Sequence, residues 1–176
     1  MNYLFLTNGF EEIEAVETID ILRRADLPLL CVSVEDTLKV RGAHNIRVEA
    51  DMLLNGVEIN DAEMLILPGG TLRLGEFQKL TNLLVEHNEN GGLIAAICAA
   101  PSILGKLGIL EGKTATCYPG FEKYLKGANV VDKRVVKSEN IITGKGPGCT
   151  KQFALEIVLT LCGQEKTNEV AEAMIA

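Results

Sequence analysis

"LIAAICAAPSIL", residues 93 to 104, decides how the rest of the chain is read. "LIAAI" has the unbroken apolar character of a strand covered on both faces. "APSIL" opens a helical pattern, with proline where a missing N–H does no harm. Cys98 stands at the junction. A thiol inside an apolar run is usually a small core residue, because free cysteine is among the most buried types. A thiol between a strand and a helix lies instead where N–H groups converge and lower thiol pKa values. That layout is a nucleophile elbow, which lifts a reactive atom above a sheet. The usual Gly-x-nucleophile-x-Gly spelling is absent, but Ala96 and Ala100 supply small side chains at the two flanking positions. These residues alone leave both readings open.

Outward from this junction, short apolar runs alternate with amphipathic ones. "NYLFLT" (2–7), "PLLCVSV" (28–34) and "EMLILPGG" (63–70) read as strands, and "EEIEAVETIDILRRA" (11–25) as a helix. A helix is expected near 75–87, further ones over "APSILGKLGIL" and "CTKQFALEIVLTLC", and a last one over "EKTNEVAEAMI". "TLKV" and "HNIRVEAD" suggest a small antiparallel excursion. Strands alternating with helices predict an α/β domain over 1–176 with a mostly parallel central sheet. Ligands in such sheets bind beyond the carboxyl ends of the strands. Three unusual turns fall there: Asn8-Gly9-Phe10, Pro68-Gly69-Gly70 and Cys98-Ala99-Ala100.

The 176 residues carry a net charge of −7 and show no basic cluster, which argues against nucleic acid as the main ligand. No apolar run reaches the roughly 18 residues of a membrane span, and none resembles a secretory leader. The five cysteines, Cys31, Cys98, Cys117, Cys149 and Cys162, are odd in number and widely spaced. Neither histidine lies at metal-ligand spacing from them. Reduced thiols, a cytoplasmic location, no metal and no cofactor are the expectations.

Two glycines at the end of "LILPGG" allow close backbone approach, and their N–H groups would suit an oxyanion. A plain tight turn explains them equally well. Glu11, Glu12, Glu14 and Glu17 favour a helix N-terminus through its dipole. A helical wheel separates them: Glu14 shares a packing face with Thr18, Ile21 and Ala25, distinct from the apolar face of Ala15, Val16, Ile19 and Leu22. Glu17 falls with Asp20 and Arg24 toward solvent. A carboxyl group buried in such packing has a raised pKa and holds its proton near neutrality, which singles out Glu14. "GKGPGCT" (144–150) lacks the order of a phosphate-binding loop and reads as a glycine-rich helix entry, with an anion-binding nest as the minority alternative.

"GFEEIEAVETIDILRRA", "LILPGG", "GLIAAICAAP" and "GKGPGCTKQFALEIV", in this order, resemble the ThiJ/PfpI superfamily, nearest to its DJ-one-like branch, over almost the whole chain. The resemblance implies a flavodoxin-like three-layer sandwich that dimerises, with an oxidation-prone cysteine at a strand–helix elbow. It places Cys98 as that cysteine, Glu14 as the carboxyl group bonded to its sulfur, and Gly70 and Ala99 as oxyanion donors, with Gly69 beside them. It further implies cofactor-free glyoxalase or deglycase-like chemistry on small reactive aldehydes or glycated adducts, redox sensing, or chaperone-like holding. Two departures stand out: Ala99 and Tyr118 occupy positions where branches of the family carry histidine. His44 lies near where a relative's basic residue approaches from a partner subunit, and His87 reads as a surface residue. With no imidazole for a Cys-His-acid triad, amide hydrolysis is disfavoured, since a leaving amine needs a proton donor. Cys98 is expected to be the most acidic of the five thiols, and the face of Glu14, Thr18, Ile21 and Ala25 to form a homodimer contact.

Overall fold

The computed structural model describes residues 1–176. Its central sheet has seven strands: β1 (Asn2–Leu6), β2 (Leu29–Ser33), β5 (Met52–Leu53), β6 (Met64–Leu67), β7 (Leu93–Ile97), β10 (Val135–Ser138) and β11 (Ile141–Gly144). Their order is β10-β11-β7-β6-β1-β2-β5, and every pairing is parallel except β10 with β11. Strand β3 (Lys39–Arg41) and strand β4 (Arg47–Glu49) form the expected antiparallel excursion, and β8 (Thr114–Ala115) pairs with β9 (Asn129–Val130).

Alternation along the strands builds two cores. Leu4 and Leu6 of β1, Ile66 of β6 and Ala95 and Ile97 of β7 face one side. They meet Ala15, Ile21 and Leu22 of α1 (Glu12–Arg24), Phe153 and Ile157 of α4 (Thr150–Cys162), and Val170 of α5 (Gln164–Ala173). Tyr3, Phe5, Leu65, Leu67, Ile94 and Ala96 face the other side, against Leu80 and Leu84 of α2 (Gln78–Glu89) and Ile103 and Leu104 of α3 (Pro101–Lys106). The result is a three-layer sandwich. The chain turns from β1 to β2 on one side of β1 and returns through β6 on the other. The crevice between β1 and β6 is therefore the point where strand order reverses, the usual ligand position of an open α/β sheet.

Glu14, Thr18, Ile21 and Ala25 do not form the expected dimer contact: all four are buried within one chain, where α1 packs along α4. The apolar residues α1 leaves outside are Ile13 and Val16, at 54% and 45% exposure. A helix pressed by both the sheet and a neighbouring helix buries a wide arc, which a two-stripe wheel misreads. His87 is not on the surface: only 4% exposed, its ring donates from Nε2 to the Leu93 carbonyl (3.1 Å). The chain doubles back at Gly91 (φ +76°) and Gly92, where a Cβ would lie 2.2 Å from the imidazole, so glycine makes room for the ring. Helix α3 is six residues long, shorter than its apolar pattern suggested.

Ile21→Glu is accordingly expected to unfold the protein, because it buries a charge with no partner, an error costing several kcal/mol. Ile13→Glu should leave the fold intact. Thermal unfolding of the two variants distinguishes this packing from a dimer face, which would make Ile21→Glu a folded monomer.

Candidate active site

The elbow is built by backbone geometry. Cys98 has φ +65°, a left-handed conformation costing a residue with a Cβ about 1–2 kcal/mol. Surrounding hydrogen bonds hold it there. Its N–H donates to Gly144 O (2.9 Å), and its carbonyl accepts from Tyr118 N–H (2.8 Å). Ser102 Oγ donates to the Ala99 carbonyl and Ala100 N–H to Ile97 O, which fixes the turn into α3.

Glu14 arrives from the start of α1. Glu11 caps that helix by accepting from Glu14 N–H (2.7 Å), and Glu11 N–H donates to Gly69 O (3.0 Å). In return, Gly69 N–H donates to Glu14 Oε2 (2.7 Å). The helix start and the Pro68-Gly69-Gly70 turn are thus stitched together, with Glu14 fully buried between them. Glycine is required at both turn positions. A Cβ on Gly69 would lie 2.6 Å from Cys98 Cβ and 2.7 Å from Glu14 Oε2; one on Gly70 (φ +87°) would lie 2.4 Å from Glu11 N.

The sulfur is the meeting point. It interacts with the Glu14 carboxyl and with the N–H groups of Gly70 and Ala99. Neither of these N–H groups donates to any backbone carbonyl. Glu14 Oε1, also buried, has no hydrogen-bond partner of regular geometry. A buried carboxyl oxygen without a partner, beside one thiol, is an arrangement that buried polar groups rarely keep without a use.

Burial pushes the Glu14 carboxyl up to about 7, opposed by the Gly69 N–H and the Cys98 thiol. Burial pushes the Cys98 thiol up to about 12, the Glu14 charge adding to it, while the Ala99 and Gly70 N–H groups pull it down. This corrects the expectation of an unusually acidic thiol: one turn and a half of α3 supplies little dipole against burial and a neighbouring carboxylate. The pair titrates as a unit. Between about 7 and about 12 the pair therefore holds one proton and one negative charge. Burial, with the Asp51 carboxylate adding to it, gives Cys31 a similar shift, to about 12, and burial with the Glu122 charge raises Cys117 to about 11. What distinguishes Cys98 is the pair of backbone N–H groups, of Ala99 and Gly70, that lower its thiol against burial and the carboxylate.

A family model described as the DJ-1/PfpI family matches residues 2–160. The chain belongs to that family. It is 37% identical to the glutathione-independent glyoxalase DJR-1.2 of Caenorhabditis elegans, the match covering 93% of this chain and 89% of that protein. The crystal structure of Drosophila melanogaster DJ-1beta superposes with a TM-score of 0.94 at 36% identity, covering 99% and 97% of the two chains. Oxidized Toxoplasma gondii DJ-1 superposes with a TM-score of 0.92 at 34% identity, again over 99% and 97%.

Cys98, Glu14, Gly69, Gly70 and Ala99, singled out from the sequence, converge in one place. His44 does not join them. Its ring Nδ1 pairs with Glu12 Oε2 (2.8 Å) and its N–H donates to Glu12 Oε1 (2.6 Å), so it clamps the β3–β4 turn onto α1. Tyr118 touches the elbow through its backbone and is 46% exposed. Sequence reasoning missed Ser102, the Gly144 carbonyl and the cap by Glu11. A serine in the first turn after a candidate nucleophile was the one available signal. Glu12 was also misread as a terminal charge: it is buried and accepts from His44 and Ile46 N–H as well as pairing with the His44 ring. Glu11, Glu12 and His44 bring ligand atoms within 4.8 Å of one another. Their oxygens already serve the cap and the clamp. No helix is long and apolar enough to cross a membrane.

Proposed function

We propose that the chain is a cofactor-free reactive-carbonyl enzyme, converting 2-oxoaldehydes of the methylglyoxal type to 2-hydroxy acids, with glycated adducts of such aldehydes as related substrates. The observation that carries this reading is the Cys98 sulfur set against an ionisable carboxyl group and two N–H donors that lack a backbone acceptor. Cys98 adds to the aldehyde carbon while Glu14 takes the thiol proton, a nucleophile activated by an adjacent base. The new oxyanion, held by Gly70 and Ala99 N–H groups, is protonated to a hemithioacetal. Glu14 then removes the proton from the former aldehyde carbon and returns one to the adjacent carbon. The product is a thioester of Cys98. Water cleaves it, releasing the 2-hydroxy acid and restoring the thiol, so the net change is addition of one water. The glyoxalase name of the nematode relative supports this reading.

A second reading is favoured by the unpartnered Glu14 Oε1. A protonated Glu14 is placed to donate to an oxygen on an oxidised Cys98, stabilising a sulfinate and making the protein a redox sensor. Amidase or peptidase activity has no imidazole to serve it. A homodimer through α1 remains part of the proposal, now with exposed Ile13 and Val16 as its contact, and a reducing cytoplasm suits its free thiols.

Proton NMR of methylglyoxal incubated without glutathione tests the first reading. Wild type should produce lactate and Cys98→Ser should not. Lactate formation that survives Cys98→Ser would refute it.

A further inference from the structure

Beside the elbow lies a cavity of ≈ 270 Å³, whose lining includes Tyr118, Arg134, Lys145, Gly148 and Cys149. It is tied to the Cys98 backbone: Tyr118 N–H donates to the Cys98 carbonyl, and Gly144, preceding Lys145, accepts from Cys98 N–H. In a chain of net charge −7, this lining holds two cations and no carboxylate. The cations are placed by the fold. Lys145 N–H donates to Arg134 O (2.9 Å), extending the β10–β11 pairing, and Cys149 Sγ donates to the same carbonyl (3.1 Å). The Arg134 guanidinium is steadied by Gly148 O (3.2 Å). Lys145 is only 35% exposed and pairs with Asp132, which stands outside the lining at 85% exposure.

We infer that this cavity is a specificity subsite for a carboxylate on the substrate, beyond the carbonyl that Cys98 attacks. The inference rests on the reading of Cys98 as a nucleophile for aldehydes. Arg134 offers a planar fork matched to a carboxylate, and Lys145 a point charge half-committed to Asp132. Together they suit one negative charge rather than two. A volume near the lower end of small-ligand pockets, roughly 300 Å³, suits a compact acid.

Phenylglyoxal and its 4-carboxy derivative, nearly equal in shape, are the probes. Wild type should favour the carboxylate in kcat/KM. The Arg134→Gln/Lys145→Gln double variant should lose that preference by about tenfold, the scale of one charge-assisted hydrogen bond. Asp132→Asn, which frees Lys145, should increase it, and Lys137→Gln on exposed β10 should leave it unchanged. Alkylation of Cys98 by 4-(bromomethyl)benzoate and by its neutral amide reads the same preference without turnover. A preserved alkylation preference with no turnover of any glyoxal would sink the proposed function and keep the subsite. Equal alkylation by acid and amide in wild type, or a preference indifferent to Arg134 and Lys145, would overturn the subsite. A 4-phosphono probe favoured over the carboxylate would overturn the charge assignment.

Discussion

Glu14→Gln should lower methylglyoxal turnover by roughly 10² or more, the usual scale for a lost general acid–base group. The amide still accepts from Gly69 N–H but cannot take the thiol proton or carry one between carbons. The same change should make the fold more stable in alkali. In wild type, the carboxyl ionises near 7 when folded and near 4.5 when exposed. The native state therefore binds the extra proton, and stability falls as pH rises from 4.5 to about 7, then levels. That loss is on the order of 3 kcal/mol at about 1.4 kcal/mol per pKa unit. Urea unfolding at pH 4.5 and pH 8 should show the decline in wild type and little of it in Glu14→Gln. Glu17→Gln, on the same helix with its side chain outside the pocket, is the control. Equal losses of turnover in both would reduce Glu14 to a helix-terminal charge.

Gly70→Ala should damage fold and chemistry together. A Cβ there would press on Glu11 N at 2.4 Å and Gly9 O at 2.5 Å, both backbone atoms, at φ +87°. Overpacking against backbone costs about 1–3 kcal/mol and the left-handed conformation about 1 kcal/mol more. Whatever shifts to relieve the clash moves the Gly70 N–H off the sulfur, and losing one oxyanion donor costs about 10²–10³ in kcat. Gly91→Ala isolates the conformational share, since Gly91 has φ +76° with nothing within 4 Å of a Cβ. It should lose about 1 kcal/mol and no activity. Gly70→Ala with wild-type kcat would remove this N–H from the oxyanion site. Both quantities come from denaturant melts and steady-state kinetics.

Much of this was legible in the residues because it is local. The alternation of apolar runs specifies the layers, and "LIAAICAAP" joins a buried strand to a proline-started helix, which puts Cys98 at the carboxyl end of a central strand. Glu14 was legible because a carboxylate on a packing face has to be explained. The companion inference from that wheel failed for a tertiary reason: α1 packs along α4 with Thr18 and Ile21 buried, and no sequence pattern announces which helix will lie against which. Glu12 and His44 were obscure for the same reason, being 32 positions apart and joined only when the β3–β4 turn folds onto α1. Arg134 and Lys145 look like ordinary surface charges until β10 pairs with β11. The acidity of Cys98 was misjudged because a helix N-terminus was weighed without the cost of burial beside a carboxylate.

The claim on which the chemistry rests is that Cys98 and Glu14 share one proton. The rate of Cys98 alkylation by iodoacetamide against pH, followed by intact mass, reads it directly. Wild type should rise through a first step near 7 and a second toward 12. Glu14→Gln should show a single step between them, because the thiol then ionises with no carboxylate charge beside it. Identical profiles for wild type and Glu14→Gln would contradict the shared proton, and with it the role given to Glu14.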